Sequence, residues 1–264
     1  MVARTTRHRV GGVAILALGI GVTAAAQAAS PTPISACPYT ITVPGTYVVT
    51  RNLSATGTCI ALAADNVALD LQGHIINGNG QGWGIVCSGC NGVVVANGTV
   101  TQFSGGVHLE GNYNTVAEIT AQQNTDGISL IGDIGNVITD SVATKNHGTG
   151  IIVMNGLAAT GIVATVMNSQ SNGNGLHGIA GIGPRSNIIL ISNSTANNNV
   201  GNGIQASGSV INSTATNNGS MGIELDCPAL AYGNKAVSNP GGNLVTSDNS
   251  CVLLDNMTTV GKSP

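Results

Sequence analysis

The chain has 264 residues, with 38 glycines, 7% charged residues, 2% aromatics and a formal net charge of −3. A disordered chain would combine low hydrophobicity with high charge, whereas 42% of these residues are hydrophobic. So few basic residues leave no electrostatic footprint for nucleic acid and no polybasic surface for lipid headgroups.

In chain order, Arg4, Arg7 and Arg9 precede an apolar run from Val10 to Ala25, followed by Ala26-Gln27-Ala28. Basic, apolar and small-residue segments in that order make residues 1–29 a secretory signal peptide, and no other apolar run reaches spanning length. Its removal leaves five Lys and Arg against eleven Asp and Glu, a mature net charge of −6. The mature protein is expected to be secreted or periplasmic, with no membrane insertion after cleavage.

All six cysteines follow the leader, and in an oxidising compartment an even count reads as disulfides. Proximity favours Cys37 with Cys59, Cys87 with Cys90, and Cys227 with Cys251, among the fifteen pairings six cysteines allow. The first and last would staple the ends of the chain. Cys87-Ser88-Gly89-Cys90 has redox-motif spacing, but no thioredoxin-like pattern surrounds it, so a structural bridge is expected. A second CxxC and a helically spaced His pair are both missing, so no metal site or cofactor is expected.

From there on the chain repeats itself. Asp126-Gly127-Ile128-Ser129-Leu130 recurs as Thr149-Gly150-Ile151-Ile152-Val153, as His177-Gly178-Ile179, as Asn202-Gly203-Ile204 and as Met221-Gly222-Ile223-Glu224-Leu225. A first inward column follows: Ile60, Ile85, Val107, Ile128, Ile151, Ile179, Ile204, Ile223. A second reads Leu71, Val95, Val116, Ile138, Val166, Ile191, Val210, Tyr232. Two residues on stand Gly73, Asn97, Glu118, Asp140, Asn168, Asn193, Asn212 and Asn234. Three further on stand Ile76, Val100, Ala121, Ala143, Ser171, Ala196, Ala215 and Val237. Short β-branched runs bounded by Gly and Asn are strands, and a unit of about 22 residues with three of them is a parallel β-helix. The expected fold is all-β, a right-handed parallel solenoid of about eight coils. A leucine-rich repeat is the alternative, but its Leu-rich consensus is missing. Residues 30–59 are expected to form an N-terminal cap and opening strand, 60–255 the β-helix and 256–264 a tail.

In the third column, Asn suits the left-handed backbone of a tight turn, and its amide can bond the next coil. With this ladder the chain, over most of Pro38 to Cys251, resembles the pectate-lyase-like superfamily of right-handed parallel β-helices. Ile41-Thr42-Val43-Pro44-Gly45-Thr46-Tyr47 and Ala64-Asp65-Asn66-Val67-Ala68-Leu69-Asp70-Leu71-Gln72-Gly73 resemble the opening coil of secreted bacterial members. The resemblance implies the fold strongly and the activity weakly, because the superfamily spans polysaccharide lyases, glycoside hydrolases, uronate epimerases and adhesins. Glu118 and Asp140 replace Asn in adjacent coils. Stacked about 5 Å apart they have the separation of a retaining glycosidase pair, but as turn residues they simply accept backbone hydrogen bonds.

The first strand carries the better constellation. Its outward column is Ala61, Val86, His108, Ser129, Ile152, Ala180, Gln205, Glu224, with Glu110, Asp126, Lys145, His147 and His177 nearby. Histidines beside carboxylates make general acid–base chemistry available. Candidate catalytic residues are Asp126, His108, His147 and His177; candidate substrate-binding residues are Glu110, Lys145, Ser129 and Trp83, the last as a stacking surface. Asn124-Thr125-Asp126-Gly127 also resembles a polygalacturonase-type motif whose Asp is catalytic, and His177-Gly178 and Arg185 echo later motifs of that family. The paired aspartates that the family carries on the next coil are absent, with Thr149 and Gly150 in their place. The expected partner is a polysaccharide and the expected state monomeric. Two functions remain open: a polysaccharide lyase, hydrolase or epimerase, and a non-catalytic module for glycan binding, adhesion or envelope scaffolding.

Overall fold

The computed structural model describes residues 30–154, 161–184 and 187–259; the expected leader, 1–29, and Arg185 lie outside them. Every strand pair is parallel, and consecutive coils are in register. One coil shows the plan: a first strand at Asp126–Ile131, a second at Asn136–Thr139 and a third at Val142–Thr144. First strands stack into a ten-stranded sheet, and second and third strands share a nineteen-stranded one. Pairing already begins at Thr32–Ile34, and the last described strand is Met257–Thr259.

The first inward column holds along its whole length: Ile60, Ile85, Val107, Ile128, Ile151, Ile179, Ile204 and Ile223 are partners in turn and completely or almost completely buried. Aliphatics stacked one per coil build a core that no coil could bury by itself. The second and fourth columns need correction at their ends. Leu69, not Leu71, pairs with Val95, and Ala231, not Tyr232, pairs with Val210. Likewise Ala236, not Val237, follows Ala215. Side chains alternate between faces of a strand, so a one-residue slip turns Tyr232 outward, where it is exposed.

The asparagine ladder also differs from expectation. Asn97, Glu118, Asp140, Asn168, Asn193 and Asn212 are exposed, with φ between +48° and +61°. Their column supplies the left-handed turn, and Gly233 and Asp255, not Asn234, continue it. Bonds to the preceding coil at this corner come from the following residue: the hydroxyls of Ser141, Ser169, Ser194 and Ser213 and the amides of Asn234 and Asn256 each accept a main-chain N–H.

The continuous amide ladder lies at the opposite corner, between third and first strands. Asn124, Asn146, Asn174, Asn199, Asn218 and Asn239 are all buried. Each side-chain oxygen from Asn146 to Asn239 accepts the main-chain N–H of the Asn one coil earlier, at 2.9–3.0 Å. Each Nδ2 from Asn146 to Asn218 donates to the next Oδ1 and to a carbonyl of the preceding coil. The ladder also explains the recurring glycine of the repeat. A Cβ on Gly127 or Gly150 would collide with the Asn146 or Asn174 amide and with neighbouring coil atoms.

The six cysteines pair as Cys37–Cys59, Cys87–Cys90 and Cys227–Cys251. The first and last close loops at the two ends of the stack.

Asn174→Ala should lower stability by about 2–5 kcal/mol, because it strands several buried polar groups. Asn168→Gly, at an exposed left-handed turn, should change it by no more than about 1 kcal/mol. Urea midpoints measure both, and equal midpoints for the two variants would contradict the ladder.

Candidate functional site

Three outward columns line the first sheet, because the glycine of each repeat and the aliphatic after it both face inward. Trp83, Gly105, Asp126, Thr149, His177 and Asn202 form the first. The middle column reads Val86, His108, Ser129, Ile152, Ala180, Gln205 and Glu224, in the order expected. Ser88, Glu110, Ile131, Met154 and Ile182 form the third.

Trp83, His108 and Glu110 make one contiguous unit. Trp83 pairs across the strands with Gly105, and its ring lies where any Cβ on Gly105 would sit. The missing side chain lets the half-exposed indole fold across the next coil and meet the His108 ring, with centroids 4.5 Å apart and planes tilted by 34°. His108 Nε2 lies 3.1 Å from Glu110 Oε1, the imidazole 13% exposed and the carboxylate 44%. A histidine held by a carboxylate at hydrogen-bond distance has its ring orientation set, which general acid–base chemistry needs. Ser129 occupies the next coil beside His108 and is buried.

Asp126 and His177 share one column but stand two coils apart, about 10 Å at the usual strand spacing. Both hold main chain. Asp126 Oδ1 accepts the Thr149 N–H at 3.0 Å, and His177 Nδ1 accepts the Asn202 N–H at 3.1 Å. Asn202 Oδ1 accepts from Met221 in the same way. These residues tie the start of each first strand to the next coil. Asp126 keeps one carboxylate oxygen free of that bond, and His177, with Nδ1 accepting, carries its proton on Nε2.

His147 and Lys145 stand elsewhere. His147 is exposed in the turn ahead of the first strand, with Nδ1 3.2 Å from the Asn124 carbonyl. Lys145 has φ of +55° and occupies the left-handed position that closes the third strand, alongside Gln102, Gln123, Asn198 and Asn217. It is exposed at that corner rather than on the first-sheet face. Glu118 and Asp140 stand on adjacent coils, exposed at the turn between second and third strands, where Thr139 Oγ1 donates to Asp140 Oδ2 at 2.6 Å.

Among the described residues no three His, Cys, Asp or Glu are grouped to hold a metal ion, and no helix is long and apolar enough to cross a membrane. Two hollows lie nearer the N-terminal end, one along Ser54, Thr58 and Asn77, the other along Asp65, Ser88 and the Cys87–Cys90 bridge. Residues that the sequence reading missed are Gly105, which seats the indole, and Asn202, which joins the first column to Glu224 through a 2.7 Å bond from Nδ2 to Oε2. The signal for Gly105 was present: Gly105-Gly106 breaks the one-glycine pattern of the other repeats.

No protein-family model and no curated protein sequence matches the chain. Solved structures match it in shape. The A-module of mannuronan C-5 epimerase AlgE4 from Azotobacter vinelandii aligns with 84% of this chain and 72% of its own, at TM-score 0.58 and 11% identity. A double mutant of the periplasmic alginate epimerase AlgG aligns with 82% and 70%, at TM-score 0.58 and 14% identity. Likeness at such low identity is one of fold alone, the parallel β-helix.

Trp83 is the only tryptophan of the chain, so its emission reports on this site alone. Gly105→Val should expel the indole and shift its emission to longer wavelength while leaving the β-sheet circular dichroism unchanged. An unshifted spectrum in the folded variant would contradict the placement of Trp83.

Proposed function

We propose that the protein binds a polysaccharide along the outer face of the first sheet, with Trp83 as the stacking surface and His108 and Glu110 as the polar pair at its edge. The observation that carries this is the half-exposed indole laid over Gly105 against His108. An aromatic ring offers its apolar face to the C–H face of a sugar, and neighbouring polar groups set orientation through hydrogen bonds. The solenoid supports the reading, because a straight sheet of successive coils is an extended surface suited to an extended polymer. Likeness in fold to the two alginate-related epimerases supports it further. Three disulfides favour work outside the cytoplasm, in the periplasm or beyond the cell.

A second reading, catalysis on the bound chain, is favoured by the His108–Glu110 bond. Under it His108 acts as general base or acid and Glu110 orients it, while Asp126 and His177 position the strands through the amides they hold.

Trp83→Ala should weaken binding to a recognised polysaccharide by about tenfold or more, the loss of roughly 1.4 kcal/mol or more of contact. Affinity electrophoresis through gels cast with single polysaccharides measures it, and undiminished retardation of the variant would overturn the binding reading. If His108 is the base, His108→Ala should cut turnover by about a hundredfold or more, followed by reducing ends and by absorbance of unsaturated products. Full activity in that variant would remove His108 from the chemistry.

A further inference from the structure

The charges on the first-sheet face bear on which polysaccharide it takes, an inference that rests on the glycan reading above. Four carboxylates stand on this face. Glu110 and Asp126 lie at the tryptophan end, and Glu224 and Asp226 at the other, with Ile152, Met154 and Ala180 and, in the first column, Thr149 and His177 between them. Four strand spacings separate Asp126 from the strand of Glu224, about 19 Å, which suits an oligosaccharide better than a single sugar.

No described Lys or Arg shares this face. Arg51 follows the strand Gly45–Val49 in a different sheet, Lys145 sits at the third-strand corner, and Lys235 belongs to the third strand of a late coil. All four carboxylates have a hydrogen-bond partner, and for three of them it is a neutral donor: Asp126 has the Thr149 N–H, Glu224 the Asn202 amide, and Asp226 the Ser207 hydroxyl at 3.0 Å. Such bonds satisfy the oxygens and leave the negative charge in place. The one ion pair among the described residues is His108 with Glu110, and it is an ion pair only while the imidazole is protonated. With these four carboxylates included, the chain after the leader has a formal net charge of −6.

We infer that the bound polymer is a cationic amino-sugar chain, a glucosamine-type glycan, and not a polyuronate. Like charges in proximity raise the cost of bringing a polyanion onto this surface, while an ammonium group gains from every carboxylate it passes. Trp83 contributes to the same preference, because the face of an indole attracts a cation beside it. The acidic ends and apolar centre of the face would place ammonium groups over Glu110 and Asp126 and over Glu224 and Asp226, with sugar rings crossing the aliphatic stretch.

The test uses the mature protein and three oligosaccharides of equal length: a glucosamine oligomer, its N-acetylated counterpart and an oligogalacturonate. Binding is read by Trp83 fluorescence and by calorimetry in mildly acidic buffer, where the amine is charged. The glucosamine oligomer should bind about tenfold or more tighter than the N-acetylated one, the uronate should bind weakest, and the preference should shrink at about 0.5 M salt. Glu110→Gln with Glu224→Gln should level the two glucosamine affinities, and Trp83→Ala should weaken both. Equal affinity for the two glucosamine oligomers, tightest binding of the uronate, or a preference untouched by the double substitution would overturn the cationic assignment and leave the glycan reading standing. An oligolysine that displaces the glucosamine oligomer at equal charge would also overturn it, as plain charge attraction. Binding of none of the three would remove the glycan reading itself.

Discussion

The structure depends on a file of asparagine amides buried at one corner of the solenoid. From Asn124 to Asn239 each of these side chains sits where water does not reach, so its oxygen and both its amide hydrogens need protein partners. The neighbours one coil before and one coil after provide them. That requirement ties coil spacing to strand spacing at this corner, as the parallel ladders do along the sheets. It also fixes how each first strand begins, two or three residues later. The glycine of the repeat follows from the same crowding, since its absent Cβ leaves room for the amides.

A fixed start for every first strand brings residues some twenty positions apart in sequence into single file on the outer face. The file is not chemically uniform. Asp126, His177 and Asn202 spend a side-chain atom on the next coil's main chain, and so belong partly to the scaffold. His108 instead meets the Glu110 carboxylate and the Trp83 ring. Chemistry therefore concentrates at the Trp83 end, and between the two ends the middle and third columns are aliphatic beside Thr149 and His177 of the first. A polymer lying along the axis would meet an aromatic and acidic start, an apolar stretch and a second acidic end.

Stacked repeats are most vulnerable where the stack stops, because a terminal coil has a neighbour on one side only. The end bridges, Cys37–Cys59 and Cys227–Cys251, act there by closing loops of 22 and 24 residues and so restricting the unfolded chain. In the last described coil Val252, Leu253, Leu254 and Met257 are about half exposed, in contrast to the closed core of the preceding coils.

Periodicity alone determined the parallel β-helix, its first inward column and the outward order from Ala61 to Glu224, because each is a consequence of near-regular spacing along the chain; the disulfide pairing followed from the proximity of the cysteines instead. It misassigned Tyr232, Asn234 and Val237, since a turn longer or shorter by one residue shifts the column and leaves no mark in composition, and Leu71, which lies two residues past Leu69 and is buried as well. The exposed Asn column was visible as a repeat, but the buried Asn124 file was not told apart from it, because both recur once per coil as Asn and only burial separates them. Within the site, His108 beside Glu110 could be read from alternation. Trp83 lying across Gly105, the removal of Lys145 to another corner and the capture of main-chain amides by Asp126 and His177 were decided by tertiary structure, for sequence gives a residue its column but not the direction its side chain takes across neighbouring coils.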